Sequence, residues 1–309
     1  MLKIGNIFCP LDLTSESTEA LRYAFALAKA YSAKLFLCHC KEKYAGSYHL
    51  FTAKDTVREV FEETVRKYRS GFAGVETEIM IIEETDDVAS KIVKMAADLN
   101  IDLIIMRSRR RPRSAALLGS IAETVCRTAP CPVFVTHPQE REWQGLNSDK
   151  LQVQRVLVAY DYSDDSERSL NYGISLAQEY GAELHLLHVL QPPSDEGPEI
   201  AWSGAGSEAI YKNAINRLRK AALNESQNWS DVKMIVRWGK PYRETLIYAQ
   251  ENEIDLICMG AKGRNFGLGT LFGSNVDRVL RQSPCPVLVG RPLKPSVETV
   301  SLKSKRSEG

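Results

Sequence analysis

The amino-acid sequence predicts an α/β protein with two repeated, doubly wound domains, each built on a five-stranded, mainly parallel sheet with helices on both faces. Two observations predict this class. The same ordered set of segments occurs twice in the 309-residue chain, and self-similarity of this kind indicates repeated structural units. Within each copy, short and continuously apolar runs alternate with helical patterns, which is typical of parallel strands joined by crossover helices.

The repeat is visible in five pairs of segments that keep their order and spacing with only small gaps. One of them is Pro-Cys-Pro-Val, which occurs at 130–133 and again at 284–287. We therefore infer the duplication of one domain. The other pairs are 7–12 with 156–161, 37–40 with 186–189, 101–106 with 254–259, and 119–120 with 273–274.

The second copy shows the individual elements most clearly. In its first predicted helix, Leu170, Ile174 and Ala177 recur at helical spacing and form an apolar face. Short runs that are apolar throughout and bounded by turn residues predict strands. We predict strands over 154–160, 183–189, 232–237, 254–259 and 286–290, and helices over 164–180, 207–225, 241–252 and 274–282.

Domain boundaries follow from composition. The stretch 138–152 is polar and rich in turn residues, as expected of a linker. The stretch 292–309 is rich in Lys, Ser and Pro, so we expect a disordered tail. The sequence thus predicts a first domain over 1–137 and a second over 153–291, separated by the linker.

Bulk properties exclude several classes of protein. The net charge of +1 gives no global reason to expect binding to nucleic acid or to an anionic membrane. No apolar run approaches the ~18 residues that a membrane span needs, and the first residues lack the apolar core of a signal peptide. The seven cysteines are odd in number and lie mostly in strand-like runs, which favours reduced thiols in the cytoplasm over a disulfide framework.

A glycine motif follows the fourth strand of the second copy. Gly260, Gly263, Gly273 and Ser274 form the pattern G-x2-G-x9-G-Ser. Glycine lets the backbone approach an anion closely, and the start of the next helix supplies unpaired N–H groups and a partial positive charge. In a doubly wound sheet, the loops after strands one and four meet at one edge, which brings Asp161 to the same place. The pattern predicts a phosphate-binding turn, although a structural turn without a ligand stays open.

Taken together, these segments resemble the universal stress protein family in its tandem, two-domain form, from Ile4 to Gly290. The resemblance implies a HUP-type, Rossmann-like fold and a cytoplasmic stress-response or signalling protein. The motifs that carry it are Asp12 and Asp161 after the first strands, Leu-Leu-His-Val at 186–189, Gly-Lys-Pro at 239–241, Ile-Asp-Leu-Ile-x-Met-Gly at 254–260, the glycine motif, and Pro-Cys-Pro-Val at 284–287.

Family members that bind ATP do so through this glycine motif, so the resemblance implies an ATP site, with or without Mg²⁺, in the second copy. Asp161 would hold the ribose, although capping of the helix near Ser163 is an alternative for it. Ser274 would both cap its helix and donate to a phosphate. The implied site consists of Ala159, Tyr160 and Val189 at the adenine, Asp161, Met259 and Gly260 near the ribose, and Gly263, Gly273, Ser274 and Asn275 at the phosphates.

The first copy departs from the motif. Arg107 and Arg110 replace the first two glycines, and one residue is deleted before Gly119. We therefore expect no ordinary ATP binding there. Ser120 and Glu123 also have the spacing of a capping box. Conversely, replacing Gly260 and Gly263 with Arg should abolish nucleotide binding in the second copy and leave the fold intact.

Five arginines crowd the loop Arg107–Arg113 of the first copy. A solvated basic loop explains them. A clamp for a phosphorylated or acidic protein partner is the sharper alternative, because guanidinium groups suit such anions. We do not expect nucleic acid here, since no aromatic side chains are interleaved.

Other motifs are set aside. Cys38-His39-Cys40 resembles a metal motif, but in a strand the two cysteines share one face and the histidine points the other way. His39 and His188 occupy equivalent positions, which favours packing or backbone hydrogen bonding. No Ser-His-Asp order, H-E-x-x-H or Walker lysine is present, so we assign no catalytic or metal-binding residue.

Three functions remain as hypotheses. The first is an ATP-binding stress or signalling protein whose two copies form an internal pseudo-dimer through the last strand, with a further homodimer left open. The second is a nucleotide-free scaffold that binds proteins through its loops. The third, a slow ATPase, lacks an evident nucleophile or base.

Overall fold

The computed structural model describes residues 3–12, 15–42, 54–69, 71–85, 87–108, 120–137, 143, 151–191, 205–225, 232–263 and 273–291. The tail 292–309, most of the linker and Arg109–Arg113 lie outside these ranges, and what we predict for them stays a prediction. The elements of the first half are β1 Asn6–Leu11, α1 Ser15–Ala30, β2 Lys34–Glu42, α2 Lys54–Arg69, β3 Thr77–Thr85, α3 Val88–Asp98, β4 Leu103–Arg107, α4 Ser120–Thr128 and β5 Val133–Thr136.

The second half repeats this order of elements. They are β6 Arg155–Ala159, α5 Asp164–Tyr180, β7 Glu183–Leu190, α6 Ala205–Glu225, β8 Val232–Trp238, α7 Pro241–Glu251, β9 Leu256–Gly260, α8 Ser274–Gln282 and β10 Val287–Gly290. The predicted strands and helices of this half are all present, with ends that differ by one or two residues.

All ten strands form one sheet in the order β3-β2-β1-β4-β5-β10-β9-β6-β7-β8. Within each half the strands are parallel. The halves meet where β5 and β10 pair antiparallel, with Val133 opposite Val289 and Val135 opposite Val287. The predicted α/β, doubly wound class is confirmed, and the last strand joins the two copies as predicted.

Alternate residues of each strand enter two separate apolar layers. In β1, for example, Ile7 and Cys9 pack on one face of the sheet and Phe8 on the other. The helices cover both faces, so the central strands are buried on both sides, as their continuously apolar sequences indicate, whereas β3 and β8 at the ends of the sheet are only partly buried.

Trp143 in the predicted linker is buried rather than solvated. Its ring lies 5.4 Å from the rings of both Tyr23 and Phe134 in the first half. Its indole N–H donates to the carbonyl of Asp255 in the second half, at 2.7 Å. One aromatic side chain of the predicted linker therefore packs between the two halves.

A buried histidine on β7 predicts a pH-dependent stability. His185 lies between the Tyr248 hydroxyl at 2.8 Å and the Glu183 carboxylate at 2.9 Å. Burial lowers the pKa of His185 below its ordinary value of 6.5, and Glu183 opposes this shift. The unfolded chain then binds a proton that the folded chain does not, so the free energy of unfolding falls as the pH drops from about 6.5 through the lower folded pKa.

The first half offers the matched control, because Phe36 occupies the position of His185. His185→Phe should flatten the dependence of unfolding free energy on pH between about pH 5 and 8, as measured by urea titration. The pKa of Glu183 is also lowered, chiefly by the hydrogen bond from Lys233. The stability that Glu183 contributes is therefore lost only below about pH 4.5, outside this window. An unchanged slope in the variant would contradict the assignment to His185.

Candidate functional site

A pocket of about 660 Å³ opens at the carboxyl edge of the second half's strands. This volume lies within the range of about 300–1,000 Å³ that is usual for small-molecule sites. The loops after β6, β7 and β9 line it, together with the first turns of α7 and α8. All ten residues of the predicted site contribute to its wall, namely Ala159, Tyr160, Asp161, Val189, Met259, Gly260, Gly263, Gly273, Ser274 and Asn275.

Backbone hydrogen bonds fix the end of β6 beside β7. The Tyr160 N–H donates to the Leu187 carbonyl at 2.8 Å. The Tyr160 carbonyl accepts from Nδ1 of His188 at 2.8 Å. In the first half His39 makes the equivalent bond to the Leu11 carbonyl, at 3.0 Å. The prediction that these histidines bond to the backbone is confirmed. Each histidine holds the carbonyl of the residue that directly precedes the aspartate, Asp161 in the second half and Asp12 in the first.

Ser163 holds the carboxylate of Asp161. Oδ1 of Asp161 accepts from the Ser163 N–H at 3.1 Å and from the Ser163 hydroxyl at 2.6 Å. The helix cap is Ser163 itself, whose hydroxyl oxygen accepts from the Ser166 N–H at 3.2 Å. The capping role considered for Asp161 therefore belongs to Ser163, and Asp161 is placed at the pocket wall.

Gly260 lies against the first turn of α5. A Cβ at Gly260 would lie 2.7 Å from the carbonyl carbon of Asp165, closer than real Cβ contacts come. The next turn of chain is held to the same residue, because the Lys262 N–H donates to Oδ2 of Asp165 at 3.0 Å. The expectation that an Arg at Gly260 leaves the fold intact is therefore wrong, since it must displace backbone at the start of α5.

Gly263 has a different neighbour. A Cβ at Gly263 would lie 2.8 Å from Oδ2 of Asp161 and would meet no backbone of a described residue within 4 Å. A side chain at position 263 would therefore collide with the Asp161 carboxylate, which is hydrogen-bonded to Ser163. The two glycines of the motif thus have separate roles, since Gly260 allows the sheet and helix to pack and Gly263 leaves room for Asp161.

Helix α8 begins at the pocket without a side-chain cap. Gly273 is the N-cap residue, and no side chain among the described residues bonds to the first N–H groups of the helix. Ser274 is the first helical residue, so the expectation that it caps the helix is wrong. Gly273, Ser274, Asn275 and Val276 all line the pocket. Uncapped N–H groups together with the helix dipole favour an anion at this end.

The first half differs at the matching position. Arg107 is the half-buried last residue of β4 and pairs with Thr136, as Gly260 pairs with Gly290. The arginine cluster therefore begins inside the sheet rather than in a solvated loop. Residues 109–113 of the loop and the Ser120 side chain lie outside the described residues, so the loss of the site and the capping box remain predictions.

The described residues contain neither a metal-binding cluster nor a membrane-spanning helix. No cluster of three or more His, Cys, Asp or Glu side chains there has the arrangement of a metal site. No described helix is both long and apolar enough to cross a membrane.

Comparison with known proteins identifies relatives across both halves. The chain matches the model of the universal stress protein family over residues 3–137 and 152–291. It is 25% identical over 301 residues to a universal stress protein of Mycolicibacterium smegmatis, a match that covers 93% of this chain and 97% of that protein. A Thermus aquaticus relative is 31% identical over 137 residues, which are 44% of this chain and 97% of the relative. The crystal structure of a universal stress protein from Archaeoglobus fulgidus superposes with a TM-score of 0.61 at 22% identity, covering 94% of this chain and 99% of that one.

Proposed function

Because the chain belongs to the universal stress protein family, we propose that its second half binds an adenine nucleotide, ATP, as part of a stress-response function. The first half then serves as the structural partner of the binding half. The observation that carries this proposal is the uncapped start of α8, which opens into a pocket lined by every residue of the predicted site.

Each part of the pocket suits one part of the nucleotide. The phosphate chain would lie at the start of α8, where N–H groups and the exposed Lys262 favour negative charge. The ribose would lie beside Asp161, because a carboxylate accepts hydrogen bonds from hydroxyl groups. The base would lie against Ala159 and Val189, where the ends of β6 and β7 form an apolar wall.

Binding without catalysis is the form of this proposal that the site favours. Among the described lining residues the single histidine, His188, is bonded to a backbone carbonyl, and the Asp161 carboxylate is engaged by the helix-capping Ser163. Slow ATP hydrolysis with Mg²⁺ stays a secondary proposal. A protein-binding scaffold is the alternative from another class, and its surface would include the loop Arg107–Arg113; a further homodimer is compatible with either.

Calorimetric titration of ATP with Mg²⁺ into the nucleotide-stripped protein tests the proposal. We expect one site per chain. ADP and AMP titrated in parallel separate recognition of the phosphates from recognition of the base, because only the phosphates interact with the α8 terminus. If folded protein gives no binding heat with ATP, ADP or AMP, the nucleotide-binding proposal is rejected in favour of the protein-binding scaffold.

Substitutions at Asp161 and at Ser163, which is hydrogen-bonded to it, should weaken ATP binding to different degrees. Asp161→Ala should weaken ATP binding by roughly 10- to 100-fold, since it removes a charged acceptor worth about 1.5–3 kcal/mol. Ser163→Ala should weaken binding less and should lower the unfolding free energy by about 1 kcal/mol, because it removes the cap of α5. Titration calorimetry and urea unfolding measure the two effects. Equal affinity in Asp161→Ala and the wild type would remove Asp161 from the site.

A further inference from the structure

Cys38 and Cys40 form a close pair of thiols on β2. Their sulfur atoms are 3.7 Å apart and share a hydrogen bond. Both side chains pack on the same face of the sheet, whereas Cys9 on the neighbouring strand packs on the opposite face. Cys38 is buried, Cys40 is partly exposed, and neither is in a disulfide. Of the two adjacent thiols, Cys40 therefore belongs to the less buried residue.

The position of the pair in the fold suggests a role other than packing. The equivalent residues of the second half are Leu187 and Val189, which line the nucleotide pocket. The first half thus has two thiols where the second has an apolar wall. The pairing of β2 with β3 shifts register between Cys40 and Glu42, so the strand is already irregular at this end.

The two thiols differ in acidity. The pKa of Cys40 is lowered, first because the Cys38 thiol donates a hydrogen bond to its thiolate and also because Lys91 lies nearby; burial opposes this shift. The pKa of Cys38 is raised by the same hydrogen bond and by burial. An accessible thiolate next to a protonated partner is the usual arrangement of a redox-responsive cysteine pair.

We propose that Cys38 and Cys40 form a redox-responsive dithiol that is oxidised by hydroperoxides. The Cys40 thiolate attacks one peroxide oxygen, the O–O bond breaks, and the leaving alkoxide or hydroxide takes a proton from water. Cys40 becomes a sulfenic acid. The Cys38 sulfur then attacks the Cys40 sulfur, the S–O bond breaks, and hydroxide leaves with the Cys38 proton as water. The two thiols lose two electrons in all, and the peroxide is reduced to an alcohol or water, with a second water formed.

The strand geometry makes this disulfide easy to reverse. Two residues of a strand span about 6.6 Å, which is near the upper end of the Cα separations of about 4.4–6.8 Å found in disulfides. Strained disulfides have higher reduction potentials and are the labile ones. Cellular dithiols would therefore restore the reduced pair.

Peptide mapping tests the proposal on the intact protein. Hydrogen peroxide is the probe, followed by acid quench, denaturation, alkylation and trypsin. Residues 35–41 form one tryptic peptide that contains both thiols and no other cysteine. We expect this peptide to become unreactive to alkylation and two hydrogen atoms lighter at least about tenfold faster than the buried Cys258 is modified. Full alkylation of both thiols, or modification no faster than at Cys258, would overturn the proposal.

Two variants assign the order of events. Cys38→Ser keeps the attacking thiolate and removes its partner, so dimedone should trap a sulfenic acid at Cys40. Cys40→Val introduces the residue of the second half, and Cys38 should then resist peroxide. Labelling of Cys38 in place of Cys40 overturns the mechanism. Circular dichroism confirms that each variant is folded, and the result for the wild-type protein decides the proposal whether or not the variants fold.

Discussion

Ser274→Glu is expected to abolish ATP binding by the second half without lowering the unfolding free energy. Ser274 is exposed and is the first residue of α8. A carboxylate there is favourable to the helix, because negative charge near the N-terminus stabilises it by about 0.3–1 kcal/mol. The same charge occupies the region proposed for the phosphates. Two like charges about 4 Å apart repel by roughly 4 kcal/mol near a protein surface, so affinity should fall by at least about 100-fold.

Ser274→Gln is the matched control, because it has the same size and lacks the charge. It should weaken ATP binding only about tenfold or less, through loss of one hydroxyl donor. Calorimetry gives both affinities, and urea unfolding shows whether Glu is neutral or stabilising. Equal losses in the Gln and Glu variants would mean that size rather than charge blocks the pocket. Full affinity in Ser274→Glu would falsify the placement of phosphate at α8.

Gly260→Ala is expected to destabilise the second half, and by more than the substitutions proposed at Asp161, Ser163, Gly263 and Ser274. The new methyl group would lie 2.7 Å from backbone of Asp165. Backbone in the first turn of α5 cannot rotate away as a side chain can, so the helix must shift. Overpacking of this kind costs typically 1–3 kcal/mol, occasionally more. The loss should appear as a lower urea midpoint, and Gly260→Arg should lose at least as much.

Gly263→Ala is the paired control in the same loop. Among the described residues its methyl group would meet the Asp161 carboxylate and no backbone. We therefore expect unfolding free energy within about 0.5 kcal/mol of the wild type and weaker ATP binding. A large loss of stability in Gly263→Ala together with none in Gly260→Ala would reverse the roles assigned to the two glycines.

The fold, and the meeting of the ten predicted site residues at one pocket, could be predicted because both depend on patterns local in the chain. Continuously apolar runs define the strands, and topology then brings the loop after β6 and the loop after β9 to one edge. Contacts between elements could not be predicted in this way. The position of Gly260 against Asp165, and the burial of Trp143, depend on how helices and strands meet in three dimensions.

The caps show a similar limit at shorter range. Serine is a good N-cap residue, and Ser163 and Ser274 both lie at the start of a helix. Ser163 caps α5, whereas Ser274 is the first residue of α8 and does not cap it. Helix α8 begins at Ser274, so the cap position falls one residue earlier than expected, at Gly273. A shift of one residue cannot be resolved from residue preference alone.

The antiparallel junction of β5 and β10 joins two domains of one polypeptide. Their association therefore does not depend on protein concentration, and each domain can acquire mutations separately. Partners on separate chains part when the protein is scarce, whereas tethered ones meet at an effective concentration set by their connection. A symmetric pair of identical chains also acquires every mutation twice. Here each partner changes alone, so one half can keep glycine at 260 while the other has Arg107 at the matching position and a pair of thiols where the glycine-bearing half has Leu187 and Val189.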